Sequence, residues 1–427
     1  MDLLIKNGHV VDPANNIDEI ADILAEDGKI SRIGRIYEGK GVKTIDATGM
    51  MVLPGLVDMH AHLREPGRED EETIETGSRA AGKGGFTTVC CMPNTEPAID
   101  NQGVVELVVS QAARLGSINI YPIGAITYGR KGESLAELAS IGDSGAVGFS
   151  DDGNSVANAQ IMRRALEYSK MLNKIVISHC EDKNLSSDGV MNEGYISTLL
   201  GLEGIPYTAE TTIVARDIEL AKMADARIHI AHVSCKESVE IIAKAKRDGV
   251  KVSCETCPHY FTLTEDAVRD FNTYAKVNPP LRTEEDRQII LNALKDGVID
   301  VIATDHAPHT ENEKNVEFDY APFGMIGLET ALSLAIMELI GKKILTWPKL
   351  VERMSLTPSR ILGLNSGTLS VDRDADIIVV NPEKTWKVTR ENLYSKSQNT
   401  PFLGKVLKGV VEYTISKGNI IYTDAIK

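Results

Sequence analysis

The residues best equipped for chemistry in this chain are histidines and aspartates that recur at the ends of apolar runs. His60-Ala61-His62 closes the run from Met50 through Leu53, Pro54, Gly55 and Leu56 to Val57, which reads as a buried strand. Side chains alternate faces along a strand, so His60 and His62 point the same way, and two converging neutral imidazoles can hold a divalent cation such as Zn²⁺. Asp151-Asp152, His179, His232 and Asp305 each close a later run. Four imidazoles plus Asp305 and one of the paired aspartates exceed what a single ion with an open water position needs, whereas two ions sharing a bridging carboxylate use them all. A hydroxide between the two metals would be the nucleophile, because coordination lowers the pKa of water from about 16 towards 7. Neighbouring strand residues face opposite sides, so Asp151 and Asp152 cannot both enter the site. Asp58 shares the parity of the two histidines and either orients an imidazole or is a buried structural carboxylate.

The elements that must position these groups alternate. Eight strand-like runs, Met51–Met59, Phe86–Met92, Ile118–Ile123, Ala146–Ser150, Lys174–Ser178, Arg227–Ala231, Val250–Glu255 and Ile299–Thr304, are separated by amphipathic helical stretches such as Thr211–Ala224 and Val239–Arg247. A last helical stretch follows Gly324 and Gly327 over Leu328–Leu339. This pattern predicts a (β/α)8 TIM barrel over residues 53–365, with its site at the carboxyl ends of the strands. Seven histidines (60, 62, 179, 232, 259, 306 and 309) fall at those ends; His9 and His229 do not. Short Gly- and Asp-broken strands at both termini, among them Leu3–Val11, Lys29–Gly34, Gly367–Val371, Ala375–Val380, Gly409–Ile415 and Gly418–Tyr422, predict one small β domain composed of residues 1–52 and 366–427. The polar segment 310–320 reads as a loop beside the site, either a lid or a solvated connection.

Composition narrows the classes of partner. Lys plus Arg number 46 against 61 Asp plus Glu, a net charge of −15, so nucleic acid and anionic membrane have no electrostatic support. No secretion signal or spanning apolar run is legible, and the six cysteines lie in apolar stretches rather than at framework spacing, which predicts a reduced, cytoplasmic protein. Cys254-x-x-Cys257 would be half a zinc site or a redox pair, and no second Cys-x-x-Cys completes it.

Five motifs carry a resemblance that spans nearly the whole chain. They are His60-Ala61-His62-Leu63-Arg64-Glu65-Pro66-Gly67, Met92-Pro93-Asn94-Thr95, Gly148-Phe149-Ser150-Asp151-Asp152-Gly153, Asn278-Pro279-Pro280-Leu281-Arg282 and Ala303-Thr304-Asp305-His306-Ala307-Pro308-His309. The sequence resembles the cyclic amidohydrolases of the amidohydrolase superfamily and, within them, dihydroorotases of the long bacterial type. The resemblance implies two zinc ions, His60, His62 and Asp305 on one, His179 and His232 on the other, and Asp152 as the bridge. It implies that Arg64, Asn94 and Asn278 hold a substrate carboxylate, with His62 bordering the substrate and His309, Phe323 and Gly324 completing the pocket. The activity implied is reversible cyclisation of N-carbamoyl-L-aspartate to dihydroorotate in pyrimidine synthesis, with attack by the metal-bridging hydroxide and Asp305 as proton shuttle. No organic cofactor is implied. A homo-oligomer and an assembly with aspartate carbamoyltransferase follow by analogy only.

Many relatives bridge their metals with a carboxylated lysine at the end of strand four. This chain has none there, Lys131 and Lys170 being the nearest, so Asp152 must serve. Competing readings are allantoinase or dihydropyrimidinase, which ordinarily keep that lysine, and a metal-free structural paralogue, which would have lost ligands. Arg64, two residues after His62, is expected on the same face if the strand continues; otherwise it is a surface arginine paired with Glu65 or Glu69.

Overall fold

The computed structural model describes residues 2–37 and 42–424. Both termini build one eight-stranded sheet, in the order Asn419–Thr423, Val406–Ser416, Ile377–Lys387, Met51–Pro54, Leu3–Asp12, Ile17–Glu26 and Lys29–Gly34, with Lys43–Asp46 parallel to the Leu3 strand. Alternation explains how the sheet serves two cores. Val52, Ile377 and Val379 join Leu3, Ile5, Ile23 and Ile30 in a core of the sheet's own. Met51, Leu53, Ile378 and Val380 face the other way and join the large core beneath the barrel helices.

The run Met51–Met59 is therefore two strands, not one. Met51–Pro54 pairs antiparallel with Ile377–Val380, and Leu56–Ala61 pairs parallel with Phe86–Cys91. The crossing point is Gly55, where a β-carbon would lie 2.1 Å from Thr87 Oγ1, so only glycine passes from one sheet to the other. Nor is Gly367–Val371 a strand. It is a turn tied to the amino-terminal hairpin, with Leu369 N donating to Asp12 Oδ2 at 2.9 Å.

The barrel strands are Leu56–Ala61, Phe86–Cys91, Asn119–Pro122, then a minimal fourth position at Phe149, and Val176–Ser178, Ile228–Ile230, Val252–Thr256 and Val301–Ile302. The run Ala146–Ser150 forms no continuous strand; Phe149 alone bridges Gly124 on one side and Val176 on the other. A bridge between Ala61 and His306 closes the ring. Met59, Cys90, Ile123, Val147, Ile177, Ala231 and Val301, drawn from around the ring, form a buried cluster that fills the interior below the site. Tyr207–Ala224 and Lys236–Arg247 are helical, and Ala331–Ala335 continues as a π-turn over Ile336–Ile340. Among the described residues no helix is long and apolar enough to cross a membrane.

Candidate metal centre

The first strand ends at Ala61, and its last residues meet the eighth across the seam. Asp305 N donates to His60 O at 3.0 Å and His62 N to His306 O at 2.8 Å. This backbone pairing brings Asp305 Oδ1 to 3.0 Å from His62 Nε2 and 3.6 Å from His60 Nε2. Asp58 sets the seam. It accepts from the Thr304 amide and hydroxyl at 3.1 and 2.5 Å and from the His60 amide at 3.2 Å, so it orients backbone rather than an imidazole. Three residues here hold the left-handed backbone usual for glycine, Arg64 (φ 60°), His232 (φ 33°) and Asp305 (φ 47°), a strain that surrounding contacts must support.

Asp151 and Asp152 point apart, although no regular strand holds them. Asp151 turns to the Thr127 amide and hydroxyl. Asp152 points among the imidazoles, with Oδ1 3.3 Å from His60 Nε2, 3.7 Å from His179 Nδ1 and 3.7 Å from His232 Nε2, and Oδ2 3.6 Å from His62 Nε2. Two overlapping groups could each hold a cation, His60 with His62 and Asp305, and His60 with Asp152 and His232, the ligand atoms of each lying within 4.8 Å of one another. His179 belongs to neither; its Nδ1 is 2.9 Å from His232 Nε2. His60 Nε2 and Asp152 Oδ1 are buried without an aligned hydrogen-bond partner despite their proximity. Unpartnered buried polar atoms of these types fit a cation between them.

Charge tells the same story. Burial opposes ionisation of Asp152, but the imidazoles of His60, His179 and His232 close around it overcome this and hold the carboxyl well below its ordinary range. Burial likewise lowers His60, yet Asp152 and Glu255 outweigh it and raise the imidazole well above its usual value. His179 behaves alike: burial is outweighed by Asp152 and Glu181, which raise it to about 9. Imidazoles that hold protons this firmly mark a point of surplus negative charge, and a bound cation would displace those protons.

The cluster opens into a cavity of about 390 Å³ lined by His62, Arg64, Asn94, Asp152, His179, His232, Asn278, Asp305, His309, Phe323 and Gly324, among others. Arg64 reaches it although the strand does not continue. Its guanidinium is buried, 2.9 Å from Glu71 Oε2 and donating to Pro308 O at 3.1 Å, with His309 Nε2 at 3.3 Å. Its partner is thus Glu71 rather than Glu65 or Glu69. Glu71 also meets His309 Nδ1 at 2.7 Å. Asn94 Oδ1 lies 2.8 Å from His62 Nδ1, and Asn278 Nδ2 donates to Glu181 Oε2 at 3.0 Å. Gly324 (φ 131°) must be glycine, because a β-carbon would lie 2.7 Å from that of Ala307 and 3.2 Å from His309 Nε2. Lys170 is paired with Asp225, 3.0 Å away, and the lysine that lines the cavity is Lys183.

Against curated proteins, the chain is 54% identical to the dihydroorotase of Acetivibrio thermocellus over 99% of its own length and 100% of that protein's. The chain belongs to the dihydroorotase family. The dihydroorotase of Geobacter metallireducens is 52% identical, over 99% of this chain and 100% of the relative. A dihydro-orotase-like family model matches residues 49–238. Among solved structures, the L-hydantoinase (dihydropyrimidinase) of Arthrobacter aurescens superposes with a TM-score of 0.87 at 26% identity, covering 98% of this chain and 95% of that one. A D-hydantoinase (dihydropyrimidinase) from Thermus sp. gives 0.84 at 26%, over 99% and 95%. These neighbours are TIM-barrel amidohydrolases with a terminal β domain, the architecture found here.

Three carboxylates of this dihydroorotase-family site escape sequence reasoning. Glu255, fully buried, lies 2.5 Å from His60 Nδ1 and 3.2 Å from His229 Nε2, and Ser253 Oγ is 2.8 Å from His229 Nδ1. Glu181 lies 3.1 Å from His179 Nε2. Glu71 holds Arg64 and His309. Of these only Glu255, the carboxylate that ends the run Val250–Glu255, left a legible signal.

Proposed function

We propose that this chain cyclises N-carbamoyl-L-aspartate to dihydroorotate, reversibly, in pyrimidine synthesis in the cytoplasm, with two zinc ions. The observation that supports it most is Arg64: a buried guanidinium facing the same cavity as the histidine–aspartate cluster suits a ring substrate that carries a carboxylate. His60, His62 and Asp305 would hold one metal, His179 and His232 the other, and Asp152 would bridge them. The metals supply, when bound, polarisation of the amide carbonyl and a water acidic enough to react near neutral pH. Arg64, with Asn94 and Asn278, fixes the ring carboxylate; His309 and the Phe323–Gly324 backbone close the far wall. Burial of His309 lowers its imidazole below the ordinary range against the opposing pull of Glu71, and its two ring nitrogens are fixed by Glu71 Oε1 at 2.7 Å and Phe323 O at 2.8 Å. Asp305 takes the proton of the attacking water and delivers it to the ring nitrogen that leaves, and the same carboxyl returns it in the cyclising direction.

The test is turnover of dihydroorotate against dihydrouracil by purified protein of measured metal content. The reading expects dihydroorotate to be preferred, and Asp305→Asn to lose about a hundredfold or more in rate while remaining folded. Faster turnover of the neutral ring would give the site to a dihydropyrimidinase-type reaction instead.

A further inference from the structure

Cys254 and Cys257 do not form a common site. Cys254 Sγ turns to Val298 O at 3.4 Å. Cys257 instead joins His259 and Asp305, the three offering ligand atoms within 4.8 Å of one another, all in buried residues. His259 Nε2 is buried with no hydrogen-bond partner, and the ring is only 3% exposed. A thiol, an imidazole and a carboxylate are the donor set that soft or borderline divalent ions favour over magnesium or calcium.

We propose that Cys257, His259 and Asp305 form a second, inhibitory site for a thiophilic divalent cation, adjoining the metal centre through Asp305. Binding there breaks the Cys257 S–H bond and forms a sulfur–metal bond, the proton passing to solvent; the imidazole binds as the neutral ligand and Asp305 as carboxylate. Asp305 is the shared member, also within reach of His60 and His62. A cation held by Cys257 and His259 therefore draws on the carboxylate to which proton transfer is assigned above, and inhibition, unlike binding, rests on that assignment. Cys257 is fully buried and belongs to one apolar cluster with Tyr260, Val277 and Leu281, so the thiol is screened from bulk water.

Cadmium chloride added to the metal-loaded enzyme is the probe. The ultraviolet thiolate-to-cadmium charge-transfer band should grow to one equivalent while the resident metal stays bound, and activity should fall in step and return on chelation. Cys257→Ser should lose both the band and the inhibition while keeping its basal rate, and His259→Gln should weaken both. No band in the wild-type enzyme, a measurement that needs no variant, would overturn the site. So would a band that persists in Cys257→Ser, or inhibition that tracks release of the resident metal. A band without inhibition would overturn the competition for Asp305, whose own role is judged separately by Asp305→Asn.

Discussion

Glu255→Gln isolates one charge at the heart of the metal centre. The carboxylate is fully buried and touches His60 Nδ1 at 2.5 Å and His229 Nε2 at 3.2 Å. Burial opposes its ionisation, but His60 and His229 hold it well below the ordinary carboxylate range. Glutamine keeps the shape: its oxygen still accepts from His60 Nδ1–H, and its amide nitrogen can donate to His229. What is lost is the charge, and with it the push that makes His60 Nε2 a strong donor to a metal. Removing such an outer partner typically costs 10–100-fold in metal affinity, about 1.4 to 2.7 kcal/mol, in line with the ~1.5–3 kcal/mol of a hydrogen bond to a charged group. The measurement is competition for zinc against a chromophoric chelator, with metal content after dialysis as a second readout. The expected result is weaker binding of the His60-linked metal in a protein whose circular dichroism is unchanged. Glu255→Leu should be worse, because it strands His60 Nδ1 and His229 Nε2 in a dry interior. Unchanged zinc affinity in both variants would refute the account of Glu255.

Asp152→Ala should lose bound metal, whereas Asp151→Ala should retain most of it and lose thermal stability instead, since its contacts are with Thr127; equal metal content in both would reject the division. Arg64→Met should leave the metals in place but weaken dihydroorotate by about 2 to 5 kcal/mol, read in KM and kcat, with unchanged constants telling against a carboxylate contact. Because Glu71 would lose its 2.9 Å partner, the variant should also melt earlier, and Arg64→Lys should restore stability before it restores affinity. Burial raises Asp376 from 3.8 to about 6, so the folded state binds its proton more tightly than the unfolded one, and this group's destabilising effect grows as pH rises from about 4 to 6. Relative to Asp376→Asn, the wild-type protein should gain up to about 3 kcal/mol between pH 7 and pH 4 in urea titrations; a pH-independent difference would dismiss the group.

Much of the site is legible because strand parity and barrel geometry act on local sequence. The pairing of His60 with His62 follows from alternation, the choice of Asp152 over Asp151 comes from the family resemblance, and the shared sheet of both termini follows from the strand-like runs at each end. What fails to be legible lies in the loops that follow the strands. Glu71 and Glu181 look like any surface glutamate until the turns after the first and fifth barrel strands fold them back onto Arg64 and His179. Arg64 enters the cavity through a left-handed turn, not by the continued strand that spacing suggests. The segment 310–320 looks polar, yet Thr310 caps a short helix there, Phe318 is buried, and Lys314 is buried with its ammonium on Thr273 O and Pro322 O.

The seam at which the first barrel strand meets the eighth joins side chains 243 residues apart in the chain, His62 and Asp305, and their backbones carry the pairing. A ribosome must therefore deliver the chain past His306 before the group of His60, His62 and Asp305 can exist in full. Catalytic competence becomes a report on ring closure itself. If the chain were divided into two co-expressed halves within an exposed connection, turnover would return only in molecules whose halves had annealed along this line, and added metal, by gripping residues from both, would act as the clasp.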